Sequence, residues 1–183
     1  MTFSVVLDTC VLYPAYLRDT LLRLAEAGLF RPLWSAGILD ELDRNLIRAG
    51  IPVQIVQRLV TEMRTAFDDA EIVGYEPLIA TMTCDHKDRH VLAAAVCAGA
   101  DTLVTFNVKD FPESSREPYD IELLTPDAFL LWLLDLAPRI VLRTLRDQAE
   151  GYKRNPRTVA GLVAALERTG TSRFAGEVRR HFS

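Results

Sequence analysis

The sequence predicts an α/β fold built on a parallel sheet, and three observations carry that reading. Short valine-rich apolar runs, the first at residues 3–7, suit strands buried on both faces of a sheet. Longer stretches place apolar residues three and four apart, as in Ile38, Leu39, Leu42 and Leu46, which is the stripe of an amphipathic helix. The two kinds of segment alternate along most of the chain, as parallel strands joined by crossover helices do. With 183 residues, 49% of them hydrophobic, there is enough material for one complete core and a small appendage.

The elements follow in order. The strand at 3–7 ends at Asp8, and residues 12–28 read as a helix with Leu17, Leu21, Leu24 and Ala25 on one face and Gly28 as its stop. A second strand at 30–34 leads to Ser35, a natural cap for a helix at 36–49 that carries Glu41. A further helix begins after Pro52, runs through Ile55, Val56, Leu59 and Met63, and ends near Asp68 and Asp69. A short third strand is expected at 71–73.

Residues 85–101 form a helix with Asp85 and Asp88 at its start, alanines for close packing and Gly99 near its end. The fourth strand falls at 102–105. Pro112 and Pro118 mark 106–120 as a surface loop before a last strand at 121–124 and a helix after Pro126. Pro138 divides a body at 1–137 from an extension at 138–183, where helices at 139–151, 156–168 and 172–182 are separated by Asn155-Pro156 and Gly170-Thr171-Ser172.

Charge is unevenly distributed. Residues 139–183 hold 10 Lys and Arg against 4 Asp and Glu, whereas the preceding 138 residues hold 11 against 21, for a net −4 overall. A basic tail on an acidic body suits either a phosphate backbone or an acidic surface, its own included, and a solvated arginine-rich face would look the same.

Several classes are disfavoured. No basic leader precedes the first apolar run, and Asp8 interrupts it too early for a signal peptide or a membrane span, so a cytoplasmic protein without membrane contact is expected. Cys10, Cys84 and Cys97 form no C-x-x-C pair and read as small buried residues. His86, His90 and His181 stand beside no plausible nucleophile, and no glycine-rich phosphate loop is present.

The chemistry that remains is acidic. Asp8 follows the first strand and so lies at a carboxyl end, where sites in open parallel sheets collect. Asn107 and Asp110 follow the fourth strand and open on the same edge, and Asp88 and Glu41 reach it if the connections wind as expected. Four converging carboxylates raise one another's pKa unless a cation intervenes. Oxygen-only ligands favour Mg²⁺ or Mn²⁺, and such an ion activates water against a phosphodiester. Taken singly, Asp85 and Asp88 also suit helix caps, and Glu41 between Asp40 and Asp43 suits a solvated face. Asp8 is different, because a charge ending an apolar strand is costly unless paired or bound to a cation.

Four segments, VVLDTCVLY at 5–13, SAGILDEL at 35–42, DHKDRHVLAAAV at 85–96 and LVTFNVKDFP at 103–112, resemble the PIN-domain family in order and spacing, most closely its VapC-type toxins. The resemblance covers roughly residues 3–125. It implies a three-layer α/β/α sandwich with a helical C-terminal extension, Mg²⁺- or Mn²⁺-dependent cleavage of RNA, a small antitoxin protein as inhibitor, and a homodimer. It implies metal-binding roles for Asp8, Glu41, Asp88 and Asp110, and substrate-orienting roles for Thr9, Thr105 and Asn107. Many members carry an aspartate where this chain has Asn107, which leaves the division between 107 and 110 open, and Asp85 is out of register. A processing nuclease, an aspartyl phosphatase and a non-catalytic acidic binding module are the competing readings.

Overall fold

The computed structural model describes residues 3–182. The first strand, β1 (Ser4–Leu7), is followed by a one-turn helix α1 (Thr9–Leu12) and then α2 (Ala15–Glu26). The helix expected at 12–28 begins only at Ala15, after a separate turn of helix, because Pro14 has no N–H to continue the ladder and stands extended at ψ 119°. Strand β2 (Arg31–Ser35) leads into α3 (Ala36–Arg48), whose N-terminus is capped as expected by Ser35 Oγ, which accepts from the Ile38 amide at 3.2 Å.

Helix α4 (Val53–Ala66) and the short β3 (Glu71–Ile72) follow, then a 3₁₀ helix at Glu76–Thr81 that the sequence did not suggest. The expected helix at 85–101 opens with a 3₁₀ turn, His86–Asp88, before α5 (Arg89–Ala98) and a left-handed cap at Gly99, φ 57°. After β4 (Thr102–Val104), residues 106–120 are not a plain loop. They form the 3₁₀ turns Val108–Asp110 and Glu117–Tyr119 around α6 (Glu113–Arg116), anchored by Phe111 and Ser115 in the interior. β5 (Glu122–Leu124), α7 (Pro126–Leu136), α8 (Pro138–Gly151), α9 (Val159–Arg168) and α10 (Ser172–Phe182) complete the chain.

All strand pairs are parallel, in the order β3-β2-β1-β4-β5. Val6 pairs with Leu33 on one side and with Leu103 on the other, which fixes β1 at the centre. Val5, Val6 and Leu7 are fully buried, and because successive side chains point to opposite faces, both faces of the sheet are covered. The result is the three-layer α/β/α sandwich. β2 and β4 leave β1 in opposite directions, so a crevice opens where β1 ends, at Asp8.

The tail docks through buried apolar and hydrogen-bonding groups. Gln148 is fully buried, accepts from the Thr20 hydroxyl at 2.8 Å and donates to the Tyr16 carbonyl at 3.2 Å, tying α8 to α2. Phe174, Ala175 and Val178 bury one face of α10. Of the cysteines, Cys84 is buried and Cys10 half-buried, but Cys97 near the end of α5 is exposed, contrary to the expectation for all three; all are free thiols. Among the described residues, no helix is long and apolar enough to cross a membrane.

Candidate active site

Asp8 is the hub of the carboxyl edge. It is 3% exposed and ends β1 as the N-cap of α1. Its Oδ1 accepts from the Thr9 amide at 2.7 Å, and its Oδ2 accepts from the Thr105 hydroxyl at 2.6 Å and the Cys10 thiol at 3.2 Å. Three donors therefore compensate a carboxylate that burial alone would make expensive. Thr105 follows β4, and its Oγ1 accepts from the Asn107 amide at 2.9 Å, which commits the hydroxyl proton to Asp8.

Glu41 reaches the same edge from the second turn of α3. The Thr9 hydroxyl lies 3.2 Å from both Glu41 Oε2 and the Ile38 carbonyl, so the residue after Asp8 ties α3 to the end of β1. On its other side, Glu41 Oε2 is 3.6 Å from His90 Nε2 on α5.

Asp88 is placed differently. It is 8% exposed, and its Oδ2 has no hydrogen-bond partner among the described residues. Burial first, and then the charge of Asp8, push its carboxyl up to about 7, and Asp110 adds to the effect while Lys87 opposes it. Lys87 Nζ stands 3.3 Å from Asp110 Oδ2 and 4.0 Å from Asp88 Oδ2. Asp110 is further held by its main chain, whose carbonyl accepts from the Asp85 amide at 2.9 Å. Asp85 itself caps the 3₁₀ turn through the Lys87 amide.

Two linked groups result. Asp8, Thr9, Glu41, Thr105 and Asn107 form one chain of hydrogen bonds, and Asp8, Asp88, Asp110 and Lys87 form one field of charge. Among the described residues, no group of three or more His, Cys, Asp or Glu side chains is placed as a metal-binding cluster. The donor set is nevertheless that of a hard cation, being carboxylate oxygens, with Asp88 Oδ2 buried and without a hydrogen bond among the described residues, Lys87 Nζ standing 4.0 Å away.

Cys10 borders this site but is a poor nucleophile, since burial and then Asp8 push its thiol up to about 12. Two neighbours of the acids, Lys87 and His90, do not stand out in the sequence as site residues. Lys87 is the basic residue between two acids in D-H-K-D, a usable signal. His90 suggests itself there only as the partner of a nucleophile, and nothing local announces that it meets Glu41 from another helix. Beside Glu41 and Thr9 lies an open cavity of about 460 Å³, also lined by Cys10, Tyr13, Asn45 and Arg48.

The family profile described as "PIN domain" matches residues 4–109, and the one described as "VapC50 C-terminal domain" matches residues 126–180. A curated protein of Mycobacterium tuberculosis (strain ATCC 25618 / H37Rv), named "Putative ribonuclease VapC50", is 42% identical over 109 residues. That alignment takes in 60% of this chain and 64% of the relative, so the chain spans somewhat less than two thirds of the relative's length. No solved structure matches.

Proposed function

The chain belongs to the PIN-domain family, and from that premise we propose that it is a Mg²⁺-dependent endoribonuclease acting as the toxin of a toxin–antitoxin pair. The observation that carries the proposal is Asp88, a buried carboxylate whose Oδ2 has no hydrogen bond among the described residues and whose nearest charges are Asp8, Asp110 and Lys87, a donor arrangement that a hard cation would satisfy. The likeness to "Putative ribonuclease VapC50" supports RNA as substrate and a small antitoxin protein as partner. The nuclease unit is residues 1–137, and 138–183 is a basic helical extension.

Asp8, Asp88 and Asp110 would hold the ion, with Glu41 on the far side of Thr9, and Mn²⁺ would serve in its place. When bound, the cation offsets carboxylate repulsion, lowers the pKa of a water and neutralises charge on the scissile phosphate. The chain's own residues do the rest. Thr105 and the Thr9 amide fix both oxygens of Asp8, so this carboxylate needs no reorganisation when substrate arrives. Asn107 keeps Thr105 in that role through its main chain, and its side chain is free to orient phosphate. Thr9 holds Glu41, which can accept a proton from an attacking water. Lys87, exposed at the rim beside Asp110, can pair with a phosphate oxygen.

Cleavage of total RNA by the purified protein in Mg²⁺, Mn²⁺ or EDTA, run beside Asp8→Asn, tests the nuclease. Discrete fragments are expected that require metal and vanish in the variant. Absence of cleavage, with the fold intact and metal supplied, would overturn the proposal. Growth arrest on expression that is lost with Asp8→Asn tests the toxin role; cleavage without arrest would point instead to RNA processing.

A further inference from the structure

The tail's excess charge is not spread evenly. Arg143, Arg179 and Arg180 face Asp147, Glu167 and Glu177 within the tail, and Arg146 lies over the Phe182 ring at 5.0 Å. Lys153, Arg154 and Arg157, between α8 and α9, are all exposed and make no hydrogen bond or ion pair among the described residues. Arg139, Arg168 and Arg173 are likewise exposed without such a partner among the described residues, but they stand singly, whereas three unneutralised cations cluster within residues 153–157.

Their backbone, by contrast, is tied down. The Tyr152 hydroxyl donates to Asp19 and accepts from Gln148 Nε2 at 2.9 Å. The Tyr16 hydroxyl donates to the Asn155 carbonyl at 3.4 Å, and Pro156 packs so closely on Gly161 that a Cβ there would stand 3.0 Å from the proline Cβ. A fixed backbone with free cationic side chains loses little entropy on meeting a polyanion.

The attachment point also gives direction. Tyr16 lies in the first turn of α2, three residues after Tyr13. Tyr13 is 41% exposed and lines the cavity that continues through Thr9 and Cys10 to Glu41. A half-exposed aromatic ring beside Glu41, three residues from the tyrosine that anchors the cationic segment, offers a base a stacking platform, which an acidic protein would not require.

We propose that residues 152–158 form an arm that holds the phosphate backbone of single-stranded RNA and leads the strand past Tyr13 to the carboxylate edge. The arm keeps the polyanion bound at a distance from the acids that repel it. This assignment rests on the ribonuclease reading.

The test is fluorescence anisotropy of a labelled single-stranded RNA against salt, in EDTA, with the full chain carrying Asp8→Asn so that no strand is cut. Combining Lys153→Ala, Arg154→Ala and Arg157→Ala is expected to flatten the slope of log affinity against log salt by about 2, at roughly 0.7 for each phosphate that the arm no longer neutralises. Arg154→Lys with Arg157→Lys should retain the slope. Tyr13→Leu is expected to weaken binding about tenfold with the slope unchanged. An unchanged slope in the triple variant, while wild type cleaves RNA, overturns the arm and leaves the nuclease intact. Equal competition by polyglutamate overturns RNA as the partner. A flattened slope without any cleavage by wild type upholds the arm as an RNA-binding segment and sinks the nuclease reading alone.

Discussion

The two ends of the sheet carry carboxylates in opposite circumstances. At the amino edge, Asp101 precedes β4 and accepts from the Ser4 amide at 2.7 Å and the Ser4 hydroxyl at 2.8 Å, bonds that hold its carboxyl below the usual range. At the carboxyl edge, Asp88 has an oxygen without a partner, faces like charges, and is pushed up to about 7. Asp101 closes the fold and favours its own ionisation. Asp88 is ionised at a cost to the fold, and the proposed function gives that cost a purpose. An acid at an edge of the sheet is thus informative only when its partners are counted.

The largest break in the comparison is in activity. Asp8→Asn is expected to lower RNA cleavage by about a hundredfold to a thousandfold, as the loss of a preorganised electrostatic group does, whereas Asp101→Asn should leave the rate unchanged. Multiple-turnover cleavage at one fixed Mg²⁺ concentration that saturates wild type measures both.

The next is in stability. The folded-state pKa of Asp88 lies above its ordinary value of 3.8, so the fold is penalised in full above about pH 7 and relieved as pH falls from 7 toward 4. Asp88→Asn should therefore raise the melting temperature of the metal-free protein at pH 8, at about 2–4 °C for each kcal/mol recovered in a domain of this size, and match wild type at pH 4. A lowered melting temperature at pH 8 would contradict the reading of Asp88 as uncompensated.

The smallest effect runs the other way. Asp101 has a depressed pKa, so its contribution is present above 3.8 and is lost as pH falls through the folded value. Because it is exposed, Asp101→Ala should cost no more than about 1 kcal/mol at neutral pH and nothing in acid. The two variants thus converge on wild type at low pH from opposite sides, which paired thermal melts would resolve.

Much of this arrangement was legible in the sequence. The valine runs, the Ser35 cap and Gly99 announce their elements because the physics that forms them is local. The parallel sheet, though not its strand order, followed from alternation, and Asp8 stood out because a charge must be answered where an apolar strand ends. The sequence was least informative where distant segments meet. The break at Pro14 was readable but obscured by leucines spaced for one helix, and the turns in 106–120 depend on Phe111 finding the core. His90 against Glu41 and Gln148 against Thr20 are pairings made by packing, with no local sign. The tail's net charge was visible at once, but which cations remain unpaired needed the fold.

The central claim is that the carboxyl edge is a cation site and the amino edge is not. Calorimetric titration of Mg²⁺ into wild type, Asp8→Asn and Asp101→Asn tests it most directly. Wild type and Asp101→Asn should bind alike and Asp8→Asn should lose binding; equal binding by all three, or by none, would contradict the claim.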